Sequence, residues 1–416
     1  MAVLKPFKGI RPIPQKAKEV AARPYDVLNR QEAKVEANFS PYHFLHVTKP
    51  EIDLNDSVDQ YAPEVYEKGY ENYSKMVNDK VLIQDEKECL YIYAQTMEGR
   101  TQYGIVGCCS VEDYMNNVIK KHEKTLPAKE EERMKHIRTS NVNYEPVFFS
   151  YPANNEIDAI VSEVVKNNAP IYDFVADEGF GHHFWIINET NKINRIVELF
   201  GETPSLYVAD GHHRTAAAAL VGNERKKNNP NHKGTEEYNY FLAVNFPDNQ
   251  LKIIDYNRVV KDLNGLTKEE FIKKLECPFL VEKKGANIYS PEKLHTFSMY
   301  LDGDWYKLTT KQGVYNDNDP IGCLDVTVLT DNILDKILGI EDIRKSKKID
   351  FVGGIRGLGE LKKRVDSGEM KVAFALYPVS MDQLIRISDT GNIMPPKTTW
   401  FEPKLRSGLI IHSILD

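Results

Sequence analysis

The sequence predicts an α+β protein of two domains, residues 1–260 and 261–416, and three observations lead there. Apolar runs rich in aromatic and β-branched residues recur through the first part ("CLYIYAQTM", "PVFFSY", "HFWIIN", "YNYFLAVNF") and read as strands. One such run, "SLYVAD", passes through a glycine into the alanine-rich "RTAAAALVG", a strand delivering a turn into a helix. Near residue 260 a new series begins with "LTKEEFIKKL". Within it "KKIDFVGG", "GLGELKKRVDSG" and "KVAFALYPV" alternate strand, helix and strand, so the second domain is expected to be α/β.

Each element follows from local pattern. Two runs flanking Glu98-Gly99 form a hairpin, and "VEDYMNNVIKK" after it reads as a helix interrupted by "HEKTLP". Pro127 opens a charged helix, "AKEEERMKHIRTS", whose Lys129, Arg133 and His136 share one face that is expected to be solvated. Gly222 is expected to stop the alanine-rich helix, and "GNERKKNNPNHKGTEEY" is a polar loop. "YNYFLAVNF" and "LKIIDYNRVV" are expected to pair. The second domain continues with a helix at 267–275, a strand at 297–309, a helix over "VTVLTDNILDKIL" and a last helix ending at Gly391.

A chain of 416 residues can bury a large core, and 41% hydrophobic with 28% charged residues is a globular rather than a disordered balance. No apolar run approaches the roughly 18 residues of a membrane helix, and "MAVLKPFKGIRPIP" lacks a signal-peptide core, so a cytoplasmic protein without a membrane partner is expected. A net charge of −7 gives no general attraction to phosphate backbones and disfavours a nucleic-acid partner. Cys89, Cys108, Cys109, Cys277 and Cys323 are odd in number and lack metal-ligand spacing; they read as reduced core thiols.

Three stretches could carry chemistry. In Asp210-Gly211-His212-His213-Arg214-Thr215 a glycine turn points backbone N–H groups and the positive end of a helix dipole at one spot, which suits phosphate. Arg214 can fork two oxygens, Thr215 adds a hydroxyl, and Asp210 either caps the helix or holds Mg²⁺. Adjacent histidines on a tight turn seldom reach one metal, and a plain helix start with backbone-bonded histidines is the competing reading. Next, "KKHEKT" places His122 beside Glu123 in a break between helices, a pairing suited to general-base work on a hydroxyl or simply to a charged surface. Last, "IMPPKTTWFEPKLRSGL" stiffens a segment bearing Lys397, Thr398, Thr399, Lys404 and Arg406, donors for a carboxylate or phosphate. "GGIRGLG" at 353–359 matches no nucleotide fingerprint and reads as a turn, and His182-His183 reads as structural.

Taken together, these motifs resemble a bacterial family catalogued as domain of unknown function 1015, over the whole chain. That family carries Pro-Tyr-Asp near its start, matched by Pro24-Tyr25-Asp26, followed by HE-x-T, DGHHR and MPPK-[ST]-T. The same order also resembles the smaller archaeal free L-serine kinases of the ParB/sulfiredoxin-like superfamily. His122-Glu123, "YVADGHHRTA" and Pro396-Lys397-Thr398-Thr399 match in sequence, within a frame of Gly368-Glu369, Phe374, Leu384 and Gly391.

The resemblance implies a ParB/sulfiredoxin-like, nucleotide-binding first domain and a chain end that returns to the active site. It implies a kinase moving a phosphoryl group from ATP or ADP, with Mg²⁺, to the hydroxyl of free L-serine. In it Glu123 is the base, with His122 orienting it or touching phosphate, and Gly211, His212, His213, Arg214 and Thr215 hold the phosphates. Asp210 contacts Mg²⁺ directly or through water, Lys397, Thr398 and Thr399 hold the amino acid, and Arg11 and Asp26 line the site. The kinases place Arg and His where this chain has Trp400 and Phe401, which leaves Lys404 or Arg406 as the cation for a substrate carboxylate. The bacterial family places His-Arg where this chain has Asn257-Arg258. With no cysteine near 205–220, sulfiredoxin chemistry is disfavoured. The alternatives are a ParB-like, nucleotide-gated regulator of DNA or a protein partner, which lacks a visible helix-turn-helix here, and a phosphohydrolase using water as acceptor.

Overall fold

The hairpin at Glu98-Gly99 forms in the computed structural model, which describes residues 1–416, and lies within a nine-stranded sheet. The strands are β1 (Leu4–Lys5), β2 (Leu90–Met97), β3 (Arg100–Ser110), β4 (Ile119–Lys120), β5 (Val147–Tyr151), β6 (Tyr172–Val175), β7 (Gly181–Ile187), β8 (Leu206–Asp210) and β9 (Tyr240–Pro247). Across the sheet they run β4-β8-β5-β9-β3-β2-β7-β6, with β1 paired to β3. Two neighbouring pairs are parallel, β4 with β8 and β5 with β9, and the rest are antiparallel. A mixed sheet covered by helices is the α+β class the sequence predicts.

The five longest helices beside this sheet are α1 (Pro63–Asn78), α2 (Pro127–Ser140), α3 (Asn155–Asn167), α4 (Thr190–Glu202) and α5 (His212–Asn228). The Asn154 side chain caps α3 by accepting from the Glu156 and Ile157 amides, and Ile157, Val161 and Val164 then recur at helical spacing on its buried face. They join Ile196 and Phe200 of α4 against Ile92, Phe149, Val208 and Phe241 of the sheet. A second core packs Tyr73 and Met76 of α1 with Phe44, Leu45, Val142 and Ile411.

By contacts the chain forms two units, Met1–Leu251 with Pro403–Asp416, and Lys252–Glu402. The expected boundary after residue 260 falls at the end of a strand, Tyr256–Val260, that belongs to the second unit, and residues 403–416 belong to the first, where His412 pairs with Asn143. The second unit has β10 (Tyr256–Val260), β11 (Phe279–Gly285), β12 (Thr296–Leu301), β13 (Asp304–Thr310), β14 (Ile349–Gly353) and β15 (Val372–Ala375), with α6 (Lys268–Leu275), α7 (Gly357–Asp366) and α8 (Met381–Asp389). Its sheet order is β11-β13-β12-β15-β10-β14, and every neighbouring pair is antiparallel. It is therefore not the α/β domain expected. The strand-helix-strand unit does form, but β10 lies between β14 and β15 and runs against both.

Other expectations give way for identifiable reasons. "YNYFLAVNF" and "LKIIDYNRVV" join different sheets instead of pairing, and 297–309 is a hairpin turning at Asp302-Gly303. The helix after β3 ends at Met115, because Asn117 takes a left-handed φ of 58° and the chain re-enters the sheet as β4. Gly222 does not stop α5: the helix passes straight through to Asn228, and a Cβ there would strike the Tyr238 carbonyl, so this glycine permits close packing. The face of α2 expected to be solvated is buried at Arg133 and His136. Cys277 is exposed and Cys323 half-buried, while Cys89, Cys108 and Cys109 are buried thiols. No helix is long and apolar enough to cross a membrane.

Candidate functional site

The site is assembled by a two-residue strand. β4 pairs in parallel with β8, Ile119 opposite Leu206 and Lys120 opposite Tyr207. Parallel neighbours end at the same edge of a sheet, so the loop after β4, carrying His122 and Glu123, emerges beside the Asp210-Gly211 turn that follows β8. The result is contact: the His122 and His212 rings meet edge to face at 4.4 Å, and Glu123 Oε2 stands 3.7 Å from His212 Nδ1. The Leu126 amide donates to His213 Nε2 at 3.1 Å and ties the far end of that loop to α5.

Gly211 makes the turn at φ 88°, a conformation open to glycine, and a Cβ there would stand 3.1 Å from the Arg214 guanidinium. No side chain caps α5 at its start. Its first-turn amides therefore keep the free donors and partial positive charge that suit an oxyanion. Thr215 spends its hydroxyl on the Gly211 carbonyl at 2.9 Å, so it braces the turn. His212 Nε2 and Arg214 Nε are buried polar atoms with no hydrogen-bond partner. Unpaired buried donors or acceptors cost about 1–3 kcal/mol each.

Charge at the turn is arranged around Asp210. Arg214 Nη2 lies 2.9 Å from Asp210 Oδ2, and Lys404 Nζ lies 3.1 Å from Oδ1. Burial pushes this carboxyl up, but Lys404 and Arg214 outweigh it and hold it down at about 2. Burial lowers His122 to about 4 and pushes His212 well below the usual imidazole range. With the histidines neutral, Arg214 and Lys404 both face the Asp210 carboxylate, while the Glu123 carboxylate stands beside His212.

Arg214 is steadied from behind. Its Nη1 donates to the Pro146 carbonyl at 2.7 Å. Next to that carbonyl, Glu145 accepts from Arg133 Nη1 at 3.2 Å, from the Tyr25 amide at 3.3 Å and from the Ser407 hydroxyl at 3.1 Å. Arg133 stacks on the Tyr25 ring at 3.7 Å. Sequence reasoning missed Glu145 and placed Arg133 on a solvated helix face; the signal available was the Pro24-Tyr25-Asp26 stretch, whose tyrosine meets this arginine. Asp26 acts on His213 and Arg214 through its charge. Arg11 is engaged elsewhere, forked onto Asp85 at 2.7 Å and 2.9 Å.

The structure thus brings together His122, Glu123, Asp210 through Thr215, and Lys404. Arg406 is not among them. Its Nη2 donates to Glu178 at 2.5 Å and its Nε to His182 of β7, at the other end of the sheet from β8. Lys397, Thr398 and Thr399 belong to the second unit. There the Lys397 backbone holds φ 60° while its carbonyl accepts from Arg258 Nη2 at 2.9 Å, and Thr398 donates to the Pro395 carbonyl. Arg214 and Lys404 each pair with one oxygen of Asp210, the residue expected to contact Mg²⁺, and no group of three His, Cys, Asp or Glu side chains is arranged to hold a metal ion.

The family described as a protein of unknown function, DUF1015, matches residues 4–327. No curated protein matches the chain. Among solved structures it is similar to a conserved hypothetical protein from Pyrococcus furiosus, at 13% identity over 74% of this chain and 95% of that one, with a TM-score of 0.35. A free serine kinase in complex with AMP is similar at 13% identity over 74% and 91%, with a TM-score of 0.34. SbnI with a C-terminal truncation, from Staphylococcus aureus, is similar at 11% identity over 74% and 87%, with a TM-score of 0.32.

Proposed function

The chain belongs to the DUF1015 family, and on that premise we propose that it is a small-molecule kinase, transferring a phosphoryl group from ATP or ADP to the hydroxyl of free L-serine to give O-phospho-L-serine. The observation that carries the reading is the parallel pairing of β4 with β8, which sets the half-exposed Glu123 carboxylate beside the first turn of α5. A phosphate cradle by itself serves switches and hydrolases equally well. A carboxylate next to it and open to solvent is what an acceptor hydroxyl needs. The ParB/sulfiredoxin-like assignment of the first unit, and serine as acceptor, rest on the order of the three sequence motifs.

In this mechanism the first-turn amides of α5 and the Arg214 guanidinium hold the phosphate oxygens, and Lys404 offsets the charge of Asp210. The acceptor hydroxyl gives its proton to Glu123 as its oxygen bonds to the terminal phosphorus in line. The bond from phosphorus to the nucleotide's bridging oxygen breaks, and the shortened nucleotide leaves with that electron pair. Because Asp210 is committed to two cations, Mg²⁺ enters as part of the nucleotide substrate. The family motif keeps Lys397, Thr398 and Thr399 as proposed contacts of the amino acid, and K397A tests this as a raised KM for the acceptor.

The test is phosphorus NMR of the full chain with ATP or ADP, Mg²⁺ and a panel of amino acids and small alcohols. O-phosphoserine is expected, its formation depending on L-serine. Nucleotide consumption that ignores every acceptor points to hydrolysis and overturns the kinase reading, as does nucleotide binding without turnover.

A further inference from the structure

Strands β7 and β6 close the sheet at the end opposite β4 and β8. A cavity of about 880 Å³ lies there, within the size range of small-molecule sites, with Val35, Phe39 and Phe174 on its walls. Its floor is an unbroken chain of opposite charges. Arg23 pairs with Glu36 and reaches Glu178 Oε1 at 3.4 Å, and Arg406 Nη2 donates to Glu178 Oε2 at 2.5 Å. Arg406 Nε then donates to His182 Nε2 at 3.3 Å, which leaves the His182 proton on Nδ1, donated to the Tyr93 hydroxyl at 2.8 Å.

Two further features mark the cavity. His43 lines it, is 2% exposed, and has an Nδ1 with no hydrogen-bond partner. Phe39 and Val35, on the same wall, stand 65% and 70% exposed. A ligand that covers the two apolar side chains removes the cost of their exposure, and His43, with Nε2 3.9 Å from Glu36 Oε1, sits behind that wall. The charges narrow its chemistry. Glu19, Glu36, Asp177 and Glu178 face Lys18, Arg23 and Arg406, so the lining is balanced to within one negative charge. Four carboxylates repel a phosphate or a dicarboxylate. A zwitterion instead finds both partners: its ammonium takes Glu36, and its carboxylate takes the Arg23 guanidinium that Glu36 gives up.

From this arrangement we infer that the first unit carries a second ligand site, for a free amino acid with an apolar side chain. The ammonium rests on Glu36, the carboxylate on Arg23, and the side chain on Phe39 and Val35. The inference stands apart from the kinase reading, because the cavity shares no residue with the Asp210 turn.

Calorimetry on the full chain without nucleotide tests it, using L-leucine, L-phenylalanine, L-serine, L-glutamate and N-acetyl-L-leucine. L-leucine or L-phenylalanine is expected to bind at one per chain. F39A and E36Q should each weaken that binding at least tenfold, and N-acetylation, which removes the ammonium, should do the same. Phe39 is an exposed side chain, so F39A keeps the test decisive if E36Q does not fold. Failure of both apolar amino acids to bind overturns the site, and so does an affinity that F39A leaves unchanged. Heat from L-serine that is indifferent to F39A belongs to the Asp210 site, so the two readings fail separately.

Discussion

Lys404 Nζ lies 3.1 Å from Asp210 Oδ1, although 194 positions separate the two residues. The pair gives the Asp210 carboxylate a second cation beside Arg214. Replacing Lys404 with methionine keeps the stem and removes the charge. K404M should weaken ATP or ADP binding about tenfold, and K404R should restore most of it. Calorimetry against nucleotide checks this, and an unchanged affinity in K404M would reduce Lys404 to packing.

In the proposed mechanism Glu123 takes the acceptor proton and does not hold phosphate. E123Q is expected to lower kcat by about 10²–10⁴ while nucleotide affinity stays within a few-fold of the parent. Single-turnover kinetics beside a binding titration separate the two effects, and full activity in E123Q would sink the base assignment.

Gly211 carries a backbone requirement and a steric one. With φ at 88° and the Arg214 guanidinium 3.1 Å from where a Cβ would sit, G211A should cost about 1–2 kcal/mol of stability. It should also abolish measurable nucleotide binding by tilting the first-turn amides. Thermal unfolding and equilibrium binding on the same preparation check both.

Several histidines are buried in neutral form. Burial lowers His122 and His136 to about 4 and His43 to about 3, from an ordinary 6.5. Between pH 6.5 and 4 the unfolded chain therefore binds more protons than the folded one, so stability falls as pH falls through that window. Each shift of this size corresponds to about 3 kcal/mol at its acid end. Asp210 acts lower: its contribution is present above its ordinary 3.8 and is lost as pH falls toward 2. Urea midpoints measured from pH 7.5 to 4 should drop steeply below 6.5, and a flat profile over that range would contradict buried neutral imidazoles.

Much of the site was legible because its parts are local. A strand, a glycine and an alanine-rich helix within residues 205 to 220 announce a helix N-terminus, and His122-Glu123 stands in a visible break. What joins them was not legible. β4 is two residues long, too short for a period-two pattern, and its residues continue the helical pattern of the stretch before it. Arg133 and His136 looked like a solvated face because their sequence neighbours are charged. Their burial comes from Tyr25 and Tyr66, whose rings lie over them at 3.7 Å and 4.8 Å. Arg406 sits two residues from Lys404, yet its partners Glu178 and His182 lie at another edge of the sheet, a divergence that spacing does not encode. The second unit read as α/β for a similar reason: β10, which separates β14 from β15, precedes both by about 90 residues or more.

The first unit is interrupted in the chain by the second, and its last pieces are residues 403–416. A ribosome that has made residues 1–251 has therefore made Asp210 without Lys404 and Asn143 without His412. During synthesis the turn waits with its acid half-neutralised until some 150 further residues have emerged. The Asp210 turn is among the last features the nascent chain can complete.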